Sequence, residues 1–306
     1  MLTYLMHVDE LRLIKDFSLS YLSGEDSMAK VRFWKMHGLG NDYVVINNID
    51  GRMNGWNLGE IAKKICRRRF SVGADGLILV CKSSIADVKM RIFNADGSEA
   101  EMCGNGIRCL AKYCFENDIV RRAEMKIETL AGVKKVWLKF KHGLVESVTV
   151  DMGAPILDRS MIPMKGEGRC IGEKLEVDDE EFRITALSVG NPHCVIFVED
   201  VSKFPVEKFG PKIEKHPLFP NRTNVEFAEV IRDGEMKIRV WERGVGETLA
   251  CGTGACASVV AANLTGRISG GCIVHLLGGD LKIEYEGNRI LMCGAAEKAF
   301  EGIISL

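Results

Sequence analysis

The chain has 306 residues, 46% of them apolar and 27% charged, with 32 glycines and 7 prolines. That is the balance of a globular protein of about two domains, and it excludes wholesale disorder and collagen-like repeats. With 41 basic against 42 acidic residues the formal charge is −1, so no bulk field draws the chain to nucleic acid or to an anionic membrane.

Residues 1–30 differ in character from the rest of the chain. They read as an N-terminal extension or as the product of a start placed too early, with Met28 the true start; a short docked helix over 5–13 is the alternative. Asp9, Glu10, Asp16, Glu25 and Asp26 argue against an acid-poor transit peptide, and residues 1–10 lack the apolar stretch of a secretory signal. From Val31 on, short apolar runs at 43–46, 77–80, 135–140, 145–150, 194–198, 237–241 and 281–285 alternate with glycine-rich breaks and read as strands. Helices are expected over 58–68, 105–116 and 254–265, the last closed by Gly266. The uncharged window 248–266 carries Gly252, Gly254, Asn263 and Gly266, so it reads as a loop entering a buried helix and not as a membrane span. A cytoplasmic protein is expected. Its 11 cysteines include no Cys-x-x-Cys pair, which removes support for a zinc ribbon or a thioredoxin-like motif and leaves free thiols.

The most informative feature is an internal repeat. Setting Cys103 against Cys251 places Met90-Arg91-Ile92-Phe93 on Ile238-Arg239-Val240-Trp241, Glu99 on Glu247, Gly104 on Gly252 and Gly106 on Gly254. Gly40-Asn41 and Gly190-Asn191 match in a similar way. The fold class is therefore α/β of the mixed α+β type, with sheets wrapped round helices, in two similar units related by a pseudo-twofold axis with the ligand cleft between them. The expected division is 31–147 and 148–297.

Each repeat carries a Cys-Gly-x-Gly corner where a helix begins. A helix start exposes unpaired backbone N–H groups and about half a positive charge, which favours an anion and lowers a thiol's pKa. Two such sulfurs facing one carbon suit a two-base inversion. One thiolate removes a proton, the opposite thiol returns one to the other face, and no electron-sink cofactor is obligatory. A lone cysteine before a glycine-rich helix start is more often structural; the duplication is what favours function. The other cysteines read as core.

At these corners the sequence resembles the diaminopimelate epimerases, cofactor-independent isomerases of lysine and cell-wall precursor synthesis. The matching stretches run in order from His37-Gly38-Leu39-Gly40-Asn41-Asp42 and Gly73-Ala74-Asp75-Gly76 through Phe93-Asn94-Ala95-Asp96-Gly97-Ser98 and Cys103-Gly104-Asn105-Gly106. They continue through Gly190-Asn191-Pro192-His193, Arg222-Thr223-Asn224-Val225-Glu226-Phe227, Glu242-Arg243-Gly244 and Cys251-Gly252-Thr253-Gly254. The resemblance implies Cys103 and Cys251 as the two bases. It implies Asn41, Asn94, Asn191, Asn224, Glu242 and Arg243 as contacts to substrate, with backbone N–H groups of Gly104, Asn105, Gly252 and Thr253 on the reacting carboxylate. His193 and Glu242 would tune the cysteines. It further implies two similar domains, each a curved, mostly antiparallel sheet or barrel wrapped round a central helix, with the last strand at 298–306 returning to the first, and conversion of L,L-diaminopimelate to the meso form without pyridoxal phosphate or metal by a homodimer. Read alone, Asn41, Asn94 and Asn191 also fit turns, His193 a satisfied strand histidine, and Glu242-Arg243 a surface pair.

Two positions depart from the family pattern. Gly76 stands where many relatives have Gln, so a side-chain contact there must be absent or replaced. Phe300 stands where relatives often have Tyr at a dimer contact. The alternative is a racemase or epimerase of the proline racemase type, in which His typically stands at the position of Asn105. A scaffold relative using acidic residues as bases is disfavoured by the cysteine pair. A thiol redox or metal-binding protein, or a pure binding module, is the reading from another class.

Overall fold

The computed structural model describes residues 29–306. The start at Met28 and the helix over 5–13 lie outside the described residues. The first half runs β1 (Lys30–Gly38), β2 (Asn41–Asn48), α1 (Leu58–Ile65), β3 (Gly76–Cys81), β4 (Val88–Asn94), β5 (Glu99–Ala100), α2 (Gly104–Glu116), β6 (Glu124–Thr129), β7 (Gly132–Lys141) and β8 (Leu144–Gly153). The second half runs β9 (Cys170–Val177), β10 (Glu180–Ser188), β11 (Pro192–Phe197), α3 (Val206–Glu214), β12 (Asn224–Arg232), β13 (Glu235–Glu242), β14 (Gly246–Thr248), α4 (Gly252–Leu264), β15 (Cys272–Leu276), β16 (Gly279–Glu286), β17 (Arg289–Gly294) and β18 (Glu297–Ser305).

These strands form one continuous ladder. In the first domain the order is β18–β1–β2–β3–β4–β6–β7–β8. In the second it is β9–β10–β11–β12–β13–β15–β16–β17. The same two steps are parallel in each: β2–β3 and β4–β6 match β11–β12 and β13–β15. Strand β8 pairs antiparallel with β17, so the final strands of the two repeats join the halves. The expected boundary at 147/148 falls inside β8, which pairs with β7 and with β17. The repeat seen in sequence thus carries a repeat of topology. Within it, Arg91 and Glu99 pair at 2.7 Å, and their counterparts Arg239 and Glu247 pair at 2.6 Å. Each pair braces the short hairpin that leads to a Cys-Gly-x-Gly corner.

A parallel step needs a crossover, commonly a helix. Helix α1 supplies it between β2 and β3. Asn57 caps it, accepting from the N–H of Glu60 at 3.2 Å, and Leu58, Ala62 and Ile65 face inward. It stops short of the predicted 68 where the carbonyls of Ile65 and Cys66 accept from the N–H groups of Gly73 and Ala74 instead of a further helical turn; Arg69 then turns the chain at φ 70°, while Arg68 reaches back to Asp42 and Asp75. Helix α3 is the matching crossover between β11 and β12. Local propensity does not announce it, because Pro205 precedes it, Pro211 lies within it and no side chain caps it.

Strands β2 and β3 are buried on both faces, which is why they read as unbroken apolar runs. Tyr43, Val45, Ile78 and Val80 point to α2, whereas Val44, Ile46, Leu77 and Leu79 point to α1. Helices α2 and α4 are surrounded by their sheets. Residues from Ala255 to Ala262 in α4 are all buried, so this helix has no polar face.

Candidate active site

Cys103 and Cys251 are the N-cap residues of α2 and α4, with extended backbones at φ −136° and −118°. Each sulfur accepts from the N–H three residues on, Gly106 at 3.5 Å and Gly254 at 3.4 Å, as a capping Ser or Asp oxygen would. The two helix starts meet head to head. A Cβ placed on Gly104 would lie 3.9 Å from Gly252 Cα and 2.9 Å from Met292 Cε, and one on Gly252 would lie 2.8 Å from Met292 Sδ. A side chain at either corner would press on the end of Met292 of β17 and crowd the space where the helices approach each other. Two positive helix ends in contact repel each other, and an anion placed between them relieves the repulsion.

Asn105 crosses the junction. Its Nδ2 donates to Ala250 O at 3.2 Å, one residue before Cys251, and to Asn41 Oδ1 at 3.1 Å. The fully buried Arg108 orients that amide by donating to Asn105 Oδ1 at 2.9 Å. The same guanidinium donates to Gly104 O and Ala295 O, both at 3.1 Å. One cation thus fixes the geometry of the α2 start against the segment between β17 and β18.

The half-buried Cys103 faces Tyr43, whose hydroxyl lies 2.9 Å from Sγ, and Asn41 Oδ1 at 3.7 Å. Asn41 is in turn held by Asp75, which accepts from its Nδ2 at 2.9 Å. A charged cluster stands behind them. Arg68 donates to Asp42 and Asp75, and Lys35 pairs with Asp42 at 2.7 Å. Burial alone would raise the Asp42 carboxyl, but hydrogen bonds from Arg68 and Lys35 outweigh it and hold the pKa at about 2.

Around Cys251, which is 6% exposed, runs a chain of hydrogen bonds. The buried His193 meets Glu226 Oε1 through Nδ1 at 2.7 Å and Asn191 Oδ1 through Nε2 at 2.9 Å. Asn191 Nδ2 donates to Thr253 Oγ1 at 3.2 Å, and Thr253 Oγ1 lies 3.5 Å from Cys251 Sγ. Because Thr253 accepts from Asn191, its own hydrogen is free for the sulfur. Glu226 Oε2 is buried and has no partner among the described residues. Glu242 accepts from Thr248 at 2.5 Å, and burial raises its carboxyl.

The expectation that both helix starts lower their thiols fails at Cys251. Burial pushes that thiol well above its usual range, and the charges of Glu242 and Glu226 push the same way. Loss of water outweighs the partial charge of the helix end.

The structure gathers Asn41, Gly104 and Asn105 round Cys103, and Asn191, His193, Gly252 and Thr253 round Cys251. Three expected contacts have hydrogen-bond partners of their own. Asn94 lies at the end of β4 in register with Gly76, its exposed amide donating to Ser98 at 2.9 Å. Asn224 donates to Pro192 O at 2.8 Å and accepts from the Arg243 N–H at 2.9 Å. The Arg243 guanidinium is exposed and donates to Asn221 O at 3.3 Å. Sequence reasoning missed Tyr43, Arg108, Glu226 and Met292. Only Glu226 left a trace, as a lone charge in the apolar run Val225-Glu226-Phe227-Ala228.

Comparison with known proteins gives the chain a family. A family profile described as diaminopimelate epimerase matches residues 33–157 and 185–299. A diaminopimelate epimerase of Moorella thermoacetica is 53% identical over 275 residues, covering 89% of this chain and 98% of that one. One of Pelotomaculum thermopropionicum is 54% identical over 274 residues with the same coverage. Among solved structures, a hydroxyproline epimerase of Agrobacterium vitis superposes with a TM-score of 0.66 at 16% identity, covering 92% of each chain. A PhzF-family protein of Bacillus anthracis superposes with a TM-score of 0.67 at 18% identity, covering 91% of this chain and 100% of that one. These two likenesses speak for the two-domain fold alone. The matched profile and the half-identical relatives, spanning both Cys-Gly-x-Gly corners, place the chain in the diaminopimelate epimerase family.

Proposed function

We propose that the chain inverts one α-carbon of L,L-2,6-diaminopimelate to give the meso isomer, with Cys103 and Cys251 as the two bases and no cofactor in the proton transfers. The observation that carries this is the head-to-head meeting of two helix starts, each capped by a cysteine. The reacting carboxylate binds between them, on N–H groups of Gly104, Asn105, Gly252 and Thr253 that no intrahelical carbonyl uses. One sulfur, as thiolate, takes the α-hydrogen as a proton. The electron pair left on carbon delocalises into the held carboxylate. The opposite thiol gives its proton to the other face, and the two sulfurs end with their protonation states exchanged. Burial and nearby carboxylates push the Cys251 thiol up, which favours it in the proton-giving role.

The distal amino-acid end carries one ammonium and one carboxylate, and needs fixed partners of both kinds. Asn94, Asn191, Asn224, Glu242 and Arg243 are proposed for it, with Asn41 shared between that end and the positioning of Cys103. His193 and Glu242 set the electrostatics round Cys251. A cytoplasmic, reducing setting fits the cysteines, all of which are free. A homodimer is proposed through β18, which among the described residues pairs only with β1 and exposes Phe300 and Ile303.

Incubation with L,L-diaminopimelate in D2O tests the reading. One deuterium at a single α-carbon of meso product is expected, and Cys103→Ala or Cys251→Ala should cut inversion by about 10²- to 10⁴-fold. Exchange by the wild type on L-proline but not on diaminopimelate would move the chain to the proline racemase type. Full inversion by either alanine variant would end the two-base proposal.

A further inference from the structure

Tyr43 stands in β2 with its ring 5% exposed, and its hydroxyl joins the Cys103 side of the site. The oxygen lies 2.9 Å from Cys103 Sγ and donates to Asn41 Oδ1 at 2.5 Å. The ring fills the space in front of Gly76, its neighbour in register on β3. A Cβ on Gly76 would lie 3.2 Å from the Tyr43 ring carbon Cε1 and 2.7 Å from the carbonyl oxygen of Phe93. The absent side chain at 76 and the tyrosine at 43 are two halves of one arrangement: the phenol occupies the room that a longer residue at 76 would need.

Hydrogen-bond counting gives the phenol a role. Asn41 Nδ2 is committed to Asp75, so its Oδ1 faces Tyr43 and Asn105. The single hydroxyl hydrogen of Tyr43 therefore has two acceptors within reach, Asn41 Oδ1 and, when ionised, the Cys103 sulfur. We propose that Tyr43 is a positioning residue for Cys103, its hydroxyl turning toward the sulfur when that is a thiolate and toward Asn41 when it is a thiol. This rests on Cys103 being one of the two bases. No proton leaves Tyr43: the substrate α-proton goes to sulfur, and the phenol hydrogen only rotates about its C–O bond. The titratable and charged groups around the phenol are Cys103, Cys109 and Arg108 of α2, and Asp75 just before β3. Burial, then Cys103, pushes the phenol well above its ordinary range, so it remains an O–H donor. A hydrogen bond to a charged acceptor is worth more than one to a neutral acceptor, so the hydroxyl favours the thiolate form of its partner.

The test is the pH dependence of iodoacetamide labelling at Cys103 in the full chain, read by peptide mass spectrometry beside kcat and KM. In Tyr43→Phe the labelling midpoint should rise by about one pH unit, a tenfold loss of thiolate below it. The value of kcat should fall about ten- to hundredfold with KM within about twofold. A ring-fluorinated tyrosine at 43, a stronger donor of the same shape, should move the midpoint down, and it decides alone if the Phe variant does not fold. An unmoved midpoint overturns the proposal even where activity drops, because a merely structural role lowers activity without shifting the sulfur. A shifted midpoint in a protein that never exchanges diaminopimelate would sink the epimerase reading and leave the Tyr43–Cys103 coupling standing.

Discussion

Cys251 and Cys103 cap equivalent helices yet meet different surroundings. Cys251 is 6% exposed and has Glu242 and Glu226 close by, whereas Cys103 is half-buried beside a phenol and two amides. Alkylation should therefore label Cys103 first. Glu226→Gln keeps an oxygen for His193 but removes one negative charge that holds the Cys251 thiol up, so its labelling should reach half-maximal rate at a lower pH. A shift of about half a unit or more is expected in a mass-resolved labelling series. Equal rates at the two sulfurs, or an upward shift in the variant, would contradict this assignment of charges. The two cysteines were legible in the sequence because an N-cap and its glycines lie within four consecutive residues. Tyr43 and Arg108 were not, and Glu226 showed only as a lone charge in an apolar run, because each acts on a partner dozens of residues away or across the domain junction.

Strands β1 and β2 and the segment before β3 are locked together by Lys35, Asp42, Arg68 and Asp75, and this cluster holds Asn41 through Asp75. Asp42 has a folded pKa of about 2, against 3.8 for an unperturbed aspartate. A depressed carboxyl adds stability that is fully present above the unfolded value and is lost as the pH falls through the folded one. Urea unfolding across the acid range should show the wild type weakening between about pH 4 and pH 2. Asp42→Asn should start weaker at neutral pH and run flatter through that window. Parallel profiles would mean that the cluster contributes nothing through ionisation. At this scale the strands and three of the helices could be read from apolar runs and stops. Helix α3 could not, since its prolines contradict local propensity, although the repeat places it: α1 fills the same crossover in the first half.

Across the whole molecule the duplication was visible from the Arg91/Arg239 and Glu99/Glu247 correspondences, which become matching ion pairs. The seam was not visible, because nothing in the Val148–Asp151 stretch announces that it pairs with Leu291–Gly294 across the halves. The same holds for β18, which closes the first sheet by pairing with β1 and sets Phe300 edge-on to Phe33 at 6.0 Å. Removing residues 297–306 leaves β1 an open edge with Val31 and Phe33 beside it, and such a chain should not reach a cooperative fold. A sharp thermal transition in the truncated protein would refute that. Strand β1 thus leaves the ribosome before any of β9–β17 is made, and its mate only after all of them. The first half must idle, unsealed, while all of the second is being made. Assembly here is a matter of waiting for the final stitch, with the slow kinetics that sequence-distant pairing imposes.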